Sequence, residues 1–161
     1  MPNFADDVLG LCDYAWARLR HRLIGLGDDE WAWLPTGDPD LGLRWRLAHL
    51  CDLLRENRNA TWLGRAPGGI TVKPATDAGE AIAQLEAAYA EWRGHLAAMD
   101  DAGLRAPVGE VAGHFADSSR LSFALHVADE LIHHGAEAAL LRDLYRERGS
   151  APGDPVDRLA Q

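Results

Sequence analysis

The sequence predicts an all-α chain folded as a four-helix bundle, with a long loop before the last helix and a mobile C-terminal tail. Three observations predict it. Four stretches of roughly 20 residues repeat their apolar side chains at the three-to-four spacing of an amphipathic helix. Polar capping residues stand at the head of three of them. Glycine and proline mark the breaks between them. A chain of 161 residues with 47% hydrophobic content has enough apolar material for one core and too little for two. Residues 1–148 therefore read as one domain and 149–161 as the tail.

In the first helix Phe4, Val8, Leu11, Ala15, Leu19, Leu23 and Leu26 form one stripe; Asn3 can cap it, and Gly25 and Gly27 stop it. A polar turn over Asp28 to Glu30 leads to Trp31, Trp33 and Pro35, whose indoles are expected to cover a bundle end. A second helix, predicted from about Leu41 to Leu63, is apolar around much of its circumference, so it must pack on more than one side. Gly64 to Pro74 is loop. Asp77 and Glu80 resemble a capping pair ahead of a third helix whose Ile82, Leu85, Tyr89, Trp92, Leu96 and Met99 keep a heptad rhythm. Asp100 to Ala116, with Gly103, Pro107, Gly109 and Gly113, reads as irregular and long enough to be functional. Ser118 or Ser119 then caps a fourth helix reaching about Tyr145, and Pro152 and Pro155 mark the tail.

Charge and cysteine usage narrow the function. A formal net charge of −9, with no local basic cluster, repels phosphate backbones and anionic lipid, so neither nucleic acid nor membrane is expected as a partner. No stretch approaches the ~20 apolar residues of a membrane span, and Asp6 and Asp7 stand where a secretion signal carries basic residues; a cytoplasmic location is expected. Cys12 and Cys51 fit no metal or redox spacing and read as reduced core thiols.

The chemistry concentrates in Leu125 to Glu137 of the fourth helix. At 100° per residue His126, Glu130 and His134 share one face with Phe123, Val127 and Leu141, while Leu121, Leu125, Ala128, Ile132, Gly135 and Ala139 form another; both faces are expected to look inward. Glu130 and His134 stand one turn apart and can grip one ion. A third ligand must come from a neighbouring helix, and the second helix offers His49 between Trp45 and Leu53. A carboxylate in this apolar setting needs a cation, and no Lys or Arg lies three or four residues from Glu130. The structural alternative pairs His49 directly with Glu130 in the core. His133 is expected to pair with Asp129 or Glu137 at helical spacing. A di-iron site fails on count, because Glu130 to His133 is a Glu-x-x-His element with no second copy.

These features resemble the DinB-like family of metal-binding four-helix bundles, which includes bacterial thiol-dependent transferases. The resemblance spans about Phe4 to Tyr145. It rests on Leu26 to Trp33 with Pro35, on Trp45-Arg46-Leu47-Ala48-His49-Leu50, and on the run from Glu130 through His133-His134-Gly135 to Arg142. Most members carry three histidines; Glu130 stands at one of those positions, as in the mycothiol-dependent maleylpyruvate isomerases with one Glu and two His. The resemblance thus implies His49, Glu130 and His134 as metal ligands. Those isomerases have a further C-terminal domain not matched here, so their substrate is not implied.

The resemblance implies a metal-dependent S-transferase or isomerase that takes a low-molecular-weight thiol, such as mycothiol or bacillithiol, and a small electrophile. Two imidazoles and a carboxylate suit zinc first, with nickel or iron(II) as alternatives. His126, one turn before Glu130, is the candidate catalytic base, and Asp52, three residues after His49, the candidate orienter of its imidazole. A homodimer is expected because relatives commonly dimerise. The second functional reading is a non-catalytic metal- or small-ligand-binding stress protein on the same bundle.

Overall fold

A computed structural model describes residues 3–67 and 73–148; the expected tail, 149–161, and residues 68–72 of the Gly64 to Pro74 loop lie outside the described residues. The Asn3 side chain accepts from the amides of Ala5 and Asp6 and starts α1, Phe4–Arg22. This helix ends four residues before the expected Leu26. Gly25, at φ +73°, closes a turn that few other residues adopt. The carbonyls of Arg22 and Ile24 are then taken by the Arg142 guanidinium. Arg142 is 2% exposed and also grips Glu30 with two bonds of 2.7 and 2.9 Å, fastening the short α2, Asp28–Trp31, to the end of the last helix. Trp31 is buried beneath Arg44, and Trp33 meets Tyr145 edge-on, as expected of a covered bundle end.

The expected second helix is broken in two. After a 3-10 turn at Pro39–Leu41, α3 runs over Leu43–Arg55, the chain extends at Glu56 (φ −52°, ψ 131°), and α4 covers Asn57–Trp62. The reason is Asn59, which is buried and donates its side-chain amide to the Leu53 carbonyl at 2.7 Å. An amide side chain that satisfies a terminal carbonyl competes with continuation of the helix. Asp77 caps α5, Ala78–Ala97, by accepting from the Glu80 amide, while the Glu80 carboxylate reaches Thr76 instead of closing the box on Asp77. The stretch expected to be irregular is partly ordered: Asp100 caps α6, Asp101–Arg105, and a 3-10 segment follows at Glu110–Phe115. Its neck is closed by backbone bonds from Val108 to Ser118 and from Gly109 to Ala116. Ser119 caps α7, Arg120–Glu147.

Side-chain ties give the directions of the four long helices. Asp13 meets Tyr89 and Arg93 while Arg20 meets Glu86, so α1 and α5 are antiparallel. His49 meets Glu130 while Arg46 meets Glu137, so α3 and α7 are antiparallel. The α1 N-terminus bonds Asp101, near the start of α7, and Arg22 bonds the Ala139 carbonyl near its end, so α1 and α7 run parallel. The helices pack in the ring order α1, α5, α3, α7. Parallel α3 and α5 force the chain to return along the bundle, and the diagonal steps α1 to α3 and α5 to α7 force it across the ends. This accounts for the long connections. Among the described residues there is no strand, and no helix is long and apolar enough to cross a membrane.

The core draws on all four long helices, with Leu50, Leu54, Leu85, Trp92 and Val127 fully enclosed. The inward stripe of α7 is Phe123, Ala124, Val127, Ala128, Leu131, His134, Ala138 and Arg142. The second face expected to look inward does so only in part: Leu125 and Ile132 are exposed at 44% and 39%. Gly135 does pack against Leu19, at a distance where a methyl group would make ordinary contact. Cys12 and Cys51 are buried and free, and burial pushes Cys12 up to about 11 and raises Cys51, as expected of unreactive core thiols.

Asp13 accepts two bonds from Arg93, at 2.8 and 2.9 Å, and one from the Tyr89 hydroxyl at 2.7 Å. The Arg93 hydrogen bond holds its carboxyl below the ordinary value against the opposing pull of partial burial, with Tyr89 adding to the effect. A carboxyl depressed in the folded state contributes stability above its unfolded pKa, near ~3.9, and loses it as pH falls through the folded value. Asp13→Asn is therefore expected to cost about 1 kcal/mol at neutral pH, since the pair is half exposed. The deficit should shrink in urea titrations below pH ~4. A deficit that persists there would assign the effect to packing.

Candidate metal centre

The antiparallel run of α3 against α7 brings His49 opposite the Glu130–His134 turn. One ligand atom from each of these three residues lies within 4.8 Å of the other two. The Glu130 Oε2 is 3.3 Å from His134 Nε2 and 3.8 Å from His49 Nε2. Bonds of about 2.1 Å in tetrahedral array place donor atoms about 3.4 Å apart. The donor set therefore fits a divalent ion, with a small inward movement of His49. The cluster offers one carboxylate and two imidazoles, and His49, 37% exposed, leaves it open on the solvent side.

Each imidazole is held from behind. His134 is 9% exposed, and its Nδ1 is 2.7 Å from Glu137 Oε2. With Nδ1–H donating to that carboxylate, the Nε2 lone pair is left facing Glu130 and His49. Glu137 is itself gripped by Arg46, whose Nε donates at 3.0 Å and Nη2 at 3.4 Å, and Arg46 also donates to the Asp40 carbonyl. Burial alone would raise the Glu137 carboxyl; the bonds from His134 and Arg46 outweigh it and hold the group below its ordinary value. The carboxylate thus stays ionised as the anchor for His134. His49 stacks on Trp45 with ring centroids 4.8 Å apart and 5° between planes, and both rings meet His134 edge-on.

The other residues proposed from sequence fall elsewhere. His126 is exposed and lines a separate cavity at the start of α7, one turn before Glu130. Asp52 makes no hydrogen bond to His49 among the described residues; it lines a different cavity with Cys51 and Arg44, because the third position after His49 rotates away from α7. Glu130 is partly exposed, with His49 and His134 as its neighbours, instead of being sealed among leucines. His133 is exposed and lies 3.4 Å from Glu137 Oε1, as its spacing suggested. A second grouping of His133, His134 and Glu137 is close enough to hold an ion, but there His134 offers the nitrogen already committed to Glu137, and Arg46 puts a cation on the same carboxylate. The sequence pattern did not single out Arg46 or the bond from His134 to Glu137; the three-residue spacing of His134 and Glu137 was the available signal.

A family model described as the DinB superfamily matches residues 11–138. No curated protein and no solved structure matches the chain. The matched span contains all three donor residues as well as Trp45, Arg46 and Glu137.

If Glu137 aims His134, removing it must weaken the site without emptying it. Glu137→Ala is expected to lower divalent-metal affinity by roughly 10–100-fold, the usual effect of losing a carboxylate behind a metal-bound imidazole. Competition with a chromophoric chelator measures this directly. An unchanged affinity would show that His134 needs no such support.

Proposed function

The chain belongs to the DinB superfamily, and from that membership we propose that it is a divalent-metal protein whose His49, Glu130 and His134 hold one ion for thiol S-transfer or isomerisation. The observation that carries the reading is the convergence of three donor atoms from two helices, with His134 already oriented by Glu137. Zinc is the first choice of metal, with nickel or iron(II) as alternatives for the same donors. Held by these three residues, such an ion would favour the thiolate form of a bound thiol near neutral pH and would polarise a carbonyl.

The chain's own residues divide the remaining work. Glu130 contributes the negative charge that makes the site select a cation over a neutral ligand. Trp45 holds the His49 ring by stacking, which limits how far it can swing from the cluster. Glu137 and Arg46 fix the His134 tautomer. His126, exposed and one turn before Glu130, is proposed to accept the proton given up by a low-molecular-weight thiol. The thiolate sulfur then forms a bond to an electrophilic carbon, whose leaving group departs with its electron pair, or adds reversibly to a double bond to allow rotation. The net charge of −9 disfavours nucleic acid and anionic lipid as partners.

Purified without chelators, the protein is expected to carry close to one divalent ion per chain. His49→Ala, Glu130→Ala and His134→Ala should each lose most of it, and His133→Ala should keep it. Elemental analysis decides, and loss in His133→Ala with retention in His134→Ala would move the site to the other grouping. Chelation should lower the melting temperature, because an ion bound only by the folded chain stabilises it by mass action.

The activity itself is tested by thiol consumption with mycothiol, bacillithiol and glutathione against several electrophiles. Metal-loaded wild type is expected to outpace both chelated protein and Glu130→Ala, with glutathione the poorest donor. Equal rates for all three proteins would rule out metal-assisted thiol chemistry.

A further inference from the structure

The cavity that His126 borders lies beside the proposed metal centre and is built differently from the rest of this acidic surface. It has a volume of about 430 Å3, within the range of small-molecule sites. Its walls come from α4, from the 3-10 segment Glu110–Phe115 and from the first turns of α7. Trp62 and Phe115 face each other with centroids 6.0 Å apart, and Phe123 meets Trp62 edge-on at 4.9 Å. Phe115 is 59% exposed, so it offers ring surface that the protein does not itself cover.

One cation stands over these rings. The Arg58 guanidinium carbon lies 5.4 Å from the Trp62 ring centre and 6.0 Å from that of Phe123. Its Nε faces the Glu56 carboxylate, which leaves the terminal nitrogens of the guanidinium fork toward the cavity side chains. Among the described residues Arg58 pairs only with Glu56, a half-exposed contact at the rim that solvent weakens. Ser118 and Ser122 add hydroxyls to the same wall. A forked cation beside hydroxyls recognises a carboxylate, whose two oxygens match the guanidinium edge. The exposed aromatic surface recognises a planar ring.

We propose that this cavity binds a small aromatic carboxylate, with the acid group on Arg58 and the ring on Trp62 and Phe115. From Phe123 to Glu130 the α7 backbone advances about 10 Å. A ligand anchored at Arg58 therefore extends its body past His126 toward the His49–Glu130–His134 cluster. That the cavity is the substrate side of a reaction centre rests on the metal reading above; binding of the acid does not.

The probe is trans-cinnamate, with the neutral cinnamamide as its matched control. Binding to metal-loaded and to chelated wild type is followed by calorimetry and by tryptophan fluorescence. The expected result is saturable cinnamate binding to both forms, with cinnamamide about ten-fold weaker and Arg58→Gln weaker by about the same factor. A melting curve for Arg58→Gln establishes that it is folded, and the acid–amide comparison stands without any variant. Equal affinities for acid and amide, no effect of Arg58→Gln, or no binding at about 1 mM probe would each overturn the proposal. Binding abolished by chelation would also overturn it, by placing the carboxylate on the ion, while supporting the metal reading. Binding that persists in a chain found to hold no metal would sink the metal reading and support this one.

Discussion

The Arg46–Glu137 ion pair is the interaction on which the site depends, because one carboxylate serves two ends. Through its bonds to Arg46 it ties α3 to α7, and through its contact with His134 it fixes which nitrogen of that ring faces the cluster. Arg46 is itself anchored to the Asp40 carbonyl, so the entry into α3 is set by the same network. A surface pair of this type contributes little to stability; here Arg46 is buried, and breaking the pair would leave its charge uncompensated. Register between the two helices and orientation of the His134 ring are therefore coupled.

The topology explains where chemistry can sit. With α1 parallel to α7 and α3 parallel to α5, the ring of helices needs long connections across the ends and along the side. The two end crossings are held in place. Arg142 pins the first crossing to α7 from inside the core, and the neck of backbone bonds between Val108–Gly109 and Ala116–Ser118 closes the last. The 3-10 segment held in that neck presents Phe115 to the Arg58 cavity. The three donor residues stand on long helices, where their positions are rigid, and part of the cavity wall stands on a connecting segment, where shape can vary.

Much of this was legible in the sequence, for local reasons. Asn3, Asp77 and Ser119 cap their helices as the residue types suggest, and the one-turn spacing of Glu130 and His134 places both on one face. What escaped depends on partners distant in sequence or on competing side-chain bonds. The break at Glu56 is set by Asn59 reaching back to Leu53, and a helical apolar pattern runs straight through it. Leu125 and Ile132 fit a packing face by spacing, yet α7 has only two long-helix neighbours and buries a single stripe. Asp52 sat at a plausible spacing from His49 but on a face turned to another cavity. The role of Arg46 was hidden because its partner lies on another helix.

The central claim is that α3 and α7 together hold one ion through His49, Glu130 and His134, with Glu137 behind His134. Anomalous diffraction at the metal edge from crystals grown with zinc tests it most directly. The account predicts one strong peak per chain, within about 2.2 Å of the Nε2 atoms of His49 and His134 and of a Glu130 oxygen, with His134 Nδ1 still bonded to Glu137. A peak between His133 and Glu137, or full zinc occupancy on residues outside this cluster, would contradict it.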